Sequence, residues 1–192
     1  MNRPFIKLPT KIPLLLKLGL WLSKKETGKD LIPARLMTWY PRAAVGSGVL
    51  EVMTAKGKDK QEKRLLNLIR LQASLVCSCS FCIDMNAVGV NTNGITGDEI
   101  MALQGRREIY SVSSFSTKEM VALEYAVLIS KTPLIFEEDF IVKLKSTFTE
   151  REIVMIASTI ASVNYWARFN QALGVPPAGF NEECYISKCD LS

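Results

Sequence analysis

The residues best suited to chemistry are two cysteines three positions apart, in the run Cys79-Ser80-Phe81-Cys82. On a helix, residues at that spacing share a face, so the two sulfurs can meet and exchange between dithiol and disulfide. If a helix begins near Cys79, its free amides and the positive end of its dipole stabilise a thiolate there. A thiolate is the species that attacks peroxide or another disulfide. Attack on peroxide leaves a sulfenic acid, which the second cysteine resolves to a disulfide. Three further cysteines, Cys77, Cys184 and Cys189, complete the set. Cys77 points to a different side of a helix from Cys79 and reads as a small buried apolar residue. The pairing of Cys184 and Cys189 is left open. The spacing of the five is not a usual structural-zinc pattern. The sequence has no histidine, which removes the commonest general base and the commonest zinc ligand. No metal and no cofactor are expected.

The elements that must position this pair read as helices. Asp59-Lys60-Gln61-Glu62 precedes an apolar series, Leu65, Leu66, Leu68, Ile69, Leu71 and Leu75, at helical spacing. Thr96 with Glu99, Ser116 with Glu119, and Thr149 with Glu152 each match the capping box, in which a hydroxyl accepts from an orphan amide and a glutamate reaches back. Gly94, Gly105 and Gly174, the last followed by Pro176-Pro177, are stop signals. Residues 91–96 read as a turn and 106–116 as a loop. No polar/apolar alternation bounded by hairpin turns appears, so strands are not expected. The expectation is an all-α fold of about seven or eight helices packed pairwise.

The 192 residues are enough for one domain with a sizeable core, and 48% apolar with 22% charged residues is a globular balance. Residues 12–22, IPLLLKLGLWL, follow cationic residues, but Lys17 interrupts the run and Ser23-Lys24-Lys25 stands where a cleavage site would be. The run is also too short to span a bilayer. It reads as an amphipathic helix that covers part of the core, and the chain is expected to remain in the cytoplasm. Charge is uneven. Residues 1–70 hold 15 Lys/Arg against 5 Asp/Glu, and residues 71–192 hold 9 against 14. The lysines are spread out and not interleaved with aromatics, so neither nucleic acid nor membrane is expected as a partner.

The stretch RLLNLIRLQASLVCSCSFCIDMN, residues 64–86, resembles the signature of the carboxymuconolactone decarboxylase-like family in its alkylhydroperoxidase D-like branch. GITGDEIMAL, residues 94–103, resembles that family's next turn and helix, and NYWARFNQALGV, residues 164–175, its long closing helix. The resemblance covers roughly residues 30–180. It implies a single all-helical domain in three parts: an N-terminal helical extension over 1–30, a family-like core over 31–180 and a tail over 181–192. It implies assembly as a trimer or hexamer. It also implies reduction of peroxides or disulfides by the cysteine pair, recharged by an external dithiol. Cys82 would then attack and Cys79 resolve. Helix-end electrostatics alone would instead favour Cys79 as the thiolate.

Three positions depart from the signature. The family's glutamate falls on Asn67, its later histidine on Asn86, and the histidine some members carry inside the pair on Phe81. Asn67 and Asn86 can orient a thiolate or a water but cannot take a proton near neutral pH. Either helix-end charge alone lowers the thiol pKa, or an acid such as Glu51, Asp84 or Glu124 has taken the role. A lactone decarboxylase-like enzyme is a further alternative, against which stands the need for an acid–base group that the signature positions do not supply. Asn164, Arg168 and Asn170, on an otherwise apolar helix, read as satisfying nearby backbone groups or a subunit contact. The leading expectation is a cysteine-dependent antioxidant enzyme. The alternative is a member of the same fold that kept the scaffold for binding and lost turnover.

Overall fold

The computed structural model describes residues 3–180, so Cys184 and Cys189 lie outside the described residues. Nine α-helices and one short 3-10 turn, Ile109–Ser111, make up the described secondary structure, with no strand among these residues. The helices are α1 (Leu14–Thr27), α2 (Ile32–Met37), α3 (Pro41–Met53), α4 (Lys60–Val76), α5 (Ser80–Asn86), α6 (Gly97–Leu103), α7 (Thr117–Ser130), α8 (Glu138–Thr147) and α9 (Glu150–Ala172). The fold is all-α, as the sequence implies.

Local chemistry sets the helix ends. Asp59 accepts the Glu62 amide at 2.8 Å and opens α4. The capping boxes at Thr96, Ser116 and Thr149 are all complete and start α6, α7 and α9. After α9 the chain turns at Gly174, whose φ of 62° suits glycine. A Cβ at that position would run into the ring of Phe5, so the turn needs glycine for space as well as for conformation.

The long helix α4 is the hub, because two of its faces are apolar. Leu66, Ile69 and Ala73 pack with Val121, Ala122 and Ala126 of α7 and with Ile156 and Ile160 of α9. Leu68 and Leu71 face the other way, onto Ile83, Ala87, Ala102 and Leu103. A third apolar cluster joins Leu36 of α2, Cys79, Phe81 and Cys82, and Ala167 and Val175 around the end of α9. The cysteine pair therefore sits inside packed structure, where α5 meets α9.

One expectation changes here. Helix α1 forms where the run over 12–22 predicts, but none of its residues is buried. Leu14, Leu15, Leu18, Trp21 and Leu22 are all more than half exposed. The helix leans on α2 and α3 instead of covering the core. Its apolar side chains, and Val45, Val49, Val52 and Met53 of α3, face outward.

Candidate active site

The site begins with a break in the chain. Helix α4 ends at Val76, and Cys77 is its C-cap. Ser78 then adopts a φ of 51°, a left-handed conformation uncommon for serine. This reversal separates Cys77 from Cys79 and lets Cys79 take an extended conformation as the N-cap of α5. Cys79 and Cys82 thus lie at the first turn of a new helix, not within a continuing one. Cys79 is 1% exposed and Cys82 4%.

The Cys82 amide donates to Cys79 Sγ at 3.3 Å. The Cys79 thiol is held below its ordinary value, first by the hydrogen bond from the Cys82 thiol, which outweighs burial, and further by the Cys82 and Phe81 amides and by Asn170. The Cys82 thiol is pushed strongly up, by that same bond to Cys79, by burial and by the neighbouring charge. Of the two thiols, Cys79 is therefore the one favoured to ionise first. Burial pushes the Cys77 thiol up as well. Cys77 Sγ donates to Asn164 Oδ1 at 3.3 Å, and Asn164 in turn donates to Ser130 Oγ and the Ile160 carbonyl, both at 3.0 Å.

From α9, Asn170 Nδ2 donates to Cys82 Sγ at 3.7 Å. Asn170 is 1% exposed, and its Oδ1 is buried without a partner. Among the described residues no group of three or more Cys, Asp or Glu side chains converges where a metal ion could be held. No described helix is long and apolar enough to cross a membrane. A surface depression lined by Glu124, Leu128, Ile135, Phe140 and Lys143 includes none of the cysteines.

No family model matches the chain. The uncharacterized protein YnjA of Escherichia coli K12 is 26% identical over 173 residues, which cover 88% of this chain and 92% of that protein. Three solved structures share the architecture. A peroxidase-related protein from Silicibacter sp. TM1040 superposes with a TM-score of 0.76 at 17% identity, covering 96% of this chain and 97% of its own. An alkylhydroperoxidase AhpD core from Ralstonia eutropha JMP134 gives 0.74 at 13% identity, covering 95% of each chain. A cysteine-to-alanine variant of the debrominase Bmp8, in complex with 2,3,4-tribromopyrrole, gives 0.73 at 19% identity, covering 90% of this chain and 92% of its own. The chain has the alkylhydroperoxidase D-like fold.

Within this alkylhydroperoxidase D-like fold, the asparagines at the signature's acid–base positions belong to a separate hydrogen-bond network. Asn67 Nδ2 donates to the Asn86 carbonyl at 2.9 Å, and Asn67 Oδ1 accepts from Asn93 Nδ2 at 3.1 Å. Asn86 Nδ2 donates to Ser74 Oγ at 2.9 Å, and Ser74 donates to the Arg70 carbonyl. These bonds tie α4 to α5 and to the turn that follows, and none of them reaches a sulfur. The candidate replacement acids also hold other groups. Glu51 accepts from Trp166 Nε1. Glu124 pairs with Lys143 at 2.7 Å. Asp84, 2% exposed, accepts the Ala178 and Phe180 amides at 2.9 and 3.1 Å and so fastens the segment after α9.

Of the three polar residues noted on α9, Asn164 serves the structural role expected of it, and exposed Arg168 lies near enough to Cys77 to lower its pKa. Asn170 alone of the three is fully buried and meets the cysteine pair. The signal was available: Ile156, Ile160, Val163, Ala167 and Asn170 follow one another at spacings of four, three, four and three. Asn170 thus extends the buried apolar stripe, and a lone amide at the end of such a stripe is a buried polar group in need of a partner.

Proposed function

We propose that the chain is a dithiol-dependent reductase that turns over peroxides through Cys79 and Cys82 and is recharged by an external dithiol. The observation that carries this reading is the bond from the Cys82 backbone amide to Cys79 Sγ at 3.3 Å, at the first turn of a helix. That bond favours a thiolate on Cys79 and supports Cys79 as the attacking sulfur. The resemblance gives attack to Cys82 instead, and we follow the electrostatics.

The chemistry then balances without a histidine or glutamate relay. The Cys79 thiolate attacks the terminal oxygen of a hydroperoxide, the O–O bond breaks, and Cys79 becomes a sulfenic acid while alkoxide leaves. The Cys82 thiol gives its proton to the alkoxide, which departs as alcohol. Cys82, now a thiolate, attacks the Cys79 sulfur, and hydroxide leaves as the disulfide forms. Two electrons have passed from the dithiol to the peroxide. An external dithiol reverses the disulfide by exchange. The second cysteine thus supplies the acid that the two asparagines cannot.

Bmp8 motivates a second reading. It is a debrominase, and a dithiol also supplies the two electrons needed to replace a carbon-bound bromine by hydrogen with release of bromide. A third reading, a binding scaffold without turnover, is supported by the structural use of Asn67 and Asn86. We also propose that the chain forms a homo-oligomer through the outward apolar faces of α1 and α3.

The deciding experiment follows peroxide consumption with dithiothreitol as donor, alongside bromide release from 2,3,4-tribromopyrrole. Cys79→Ser should abolish peroxide turnover. Without donor, Cys82→Ser should consume one peroxide to give a Cys79 sulfenic acid, which a second peroxide carries on to sulfinic acid. If Cys79→Ser consumes peroxide as fast as the unaltered protein, the reading is wrong. If only bromide is released, the debrominase reading replaces it, and if neither substrate turns over, the scaffold reading does.

A further inference from the structure

The Asn170 carboxamide is half used. Its nitrogen donates to Cys82 Sγ at 3.7 Å and lies near enough to Cys79 to favour its thiolate. Its oxygen, attached to the same carbon, is buried and has no partner. A buried unpaired acceptor carries a free-energy penalty, and few persist in folded proteins without a function. The neighbouring groups offer no remedy. The buried apolar side chains around the pair, Leu36, Phe81, Ala167 and Val175, carry no donor, and the donors of Trp166 and Cys77 at its edge are given to Glu51 and Asn164. The backbone amides of Leu173 and Val175 are spent on the Asn170 carbonyl. The unpaired acceptor therefore belongs to the same carboxamide that meets Cys82, in apolar surroundings beside the pair that a substrate must reach.

We infer that Asn170 is a positioning residue that selects hydroperoxides, its Oδ1 accepting the O–H of the oxygen under attack while its Nδ2 holds the sulfurs. This inference rests on the reading of Cys79 and Cys82 as a reductant and names the substrate class for it. A hydroperoxide carries a hydrogen on the terminal oxygen, so it satisfies the orphan oxygen and is aligned for attack by the same contact. A disulfide carries no donor at its reacting atoms, so it leaves Oδ1 unpaired and gains nothing from Asn170. The two classes of substrate that the cysteine pair could reduce are thereby separated by one amide.

The test is a single-turnover comparison on the pre-reduced full chain, so no donor is needed. The rate of oxidation by tert-butyl hydroperoxide is measured beside the rate with dipyridyl disulfide, for the unaltered protein and for Asn170→Leu. A lost hydrogen bond of ordinary strength should lower the hydroperoxide rate about tenfold relative to the disulfide rate. A purely structural role, acting through thiol pKa or packing, lowers both rates by the same factor, and that result overturns the inference. So does a variant whose two rates are unchanged. Asn170→Ala is run in parallel and decides the matter if Asn170→Leu does not fold. If the unaltered protein is oxidised by neither substrate, the reductant reading itself has failed, whereas equal losses in the variants defeat only the role given to Asn170.

Discussion

The backbone amide of Cys82 donates to Cys79 Sγ at 3.3 Å, so one cysteine caps the helix that carries the other. This asymmetry adds to the bond between the two thiols and to burial in separating them. Cys79 receives donors, while Cys82 gives its own proton and is buried beside the resulting charge.

The first prediction is a difference in labelling. Only thiolates react readily with iodoacetamide, so Cys79 should label while Cys82 is still protonated. Because the Cys79 pKa is lowered, its labelling should persist as pH falls below about 8.5, the free-thiol value, and fade only through its own lower pKa. Cys82→Ala removes the side-chain donor beside Cys79, so the Cys79 profile should move toward higher pH. Mass mapping across a pH series checks both points. Earlier labelling of Cys82 would put the resting charge on the wrong sulfur.

The second prediction concerns Asn67 and Asn86. Replacing them with the glutamate and histidine of the family signature should lower stability by roughly 1–3 kcal/mol, since buried partners would lose their bonds. Asn67 is 7% exposed and joins both the Asn86 carbonyl and Asn93. Peroxide turnover should change little, because none of their hydrogen bonds reaches a sulfur. A gain of about 10²-fold or more, the usual yield of a general base, would show that these positions do face the reacting atoms. Thermal melts and steady-state rates of Asn67→Glu, Asn86→His and the double variant give the answer.

The sequence was most legible where structure is local. Helix starts at Thr96, Ser116 and Thr149 could be read because a capping box lies within four residues. The cysteine pair at the head of a helix could be read for the same reason. What could not be read joins residues far apart in the chain. Asn170 meets Cys82 from 88 positions away, and only the packing of α9 on α5 brings them together. Asn67 and Asn86 were legible as departures from a signature, but their use in a ladder with Asn93 and Ser74 was not, since an isolated amide has no period. The outward set of α1 was also hidden: an apolar run shows that a surface wants covering but not whether this chain or another copy covers it.

The third prediction follows from that surface. With Leu14, Leu15, Leu18 and Trp21 exposed, the chain should scatter light as a homo-oligomer at micromolar concentration. Leu18→Lys combined with Trp21→Lys should shift it toward monomer without loss of helical circular dichroism, because no residue of α1 is buried within the chain. A wild-type monomer, or a variant that assembles as before, would remove α1 from the interface.

The last prediction concerns Arg64, where two capping boxes converge. Arg64 Nη2 pairs with Glu99 Oε1 at 2.6 Å, and Arg64 Nε pairs with Glu119 Oε1 at 2.7 Å. Each glutamate is also the box residue of its own helix, so one guanidinium from α4 ties together the starts of α6 and α7. The Glu99 side chain has no exposed surface. Burial pushes its carboxyl up, but bonds from Arg64, Ser114 and the Thr96 amide more than offset this and hold it below the ordinary carboxylate range. A folded pKa below the unfolded one adds stability that is complete above the unfolded value, about 4.3, and is lost as pH falls through the folded value. The melting temperature should therefore decline as pH is lowered from about 5 to about 2. Arg64→Met should cost roughly 3–5 kcal/mol at neutral pH, because it strands two carboxylates without their cation. Its pH dependence should also reverse. Without Arg64, burial is the largest remaining influence on the Glu99 carboxyl and pushes its pKa up, so acid should restore part of the lost stability instead of removing more. Melting curves for both proteins across that pH range check the sign, and parallel declines would show that the triad is not what holds the two caps.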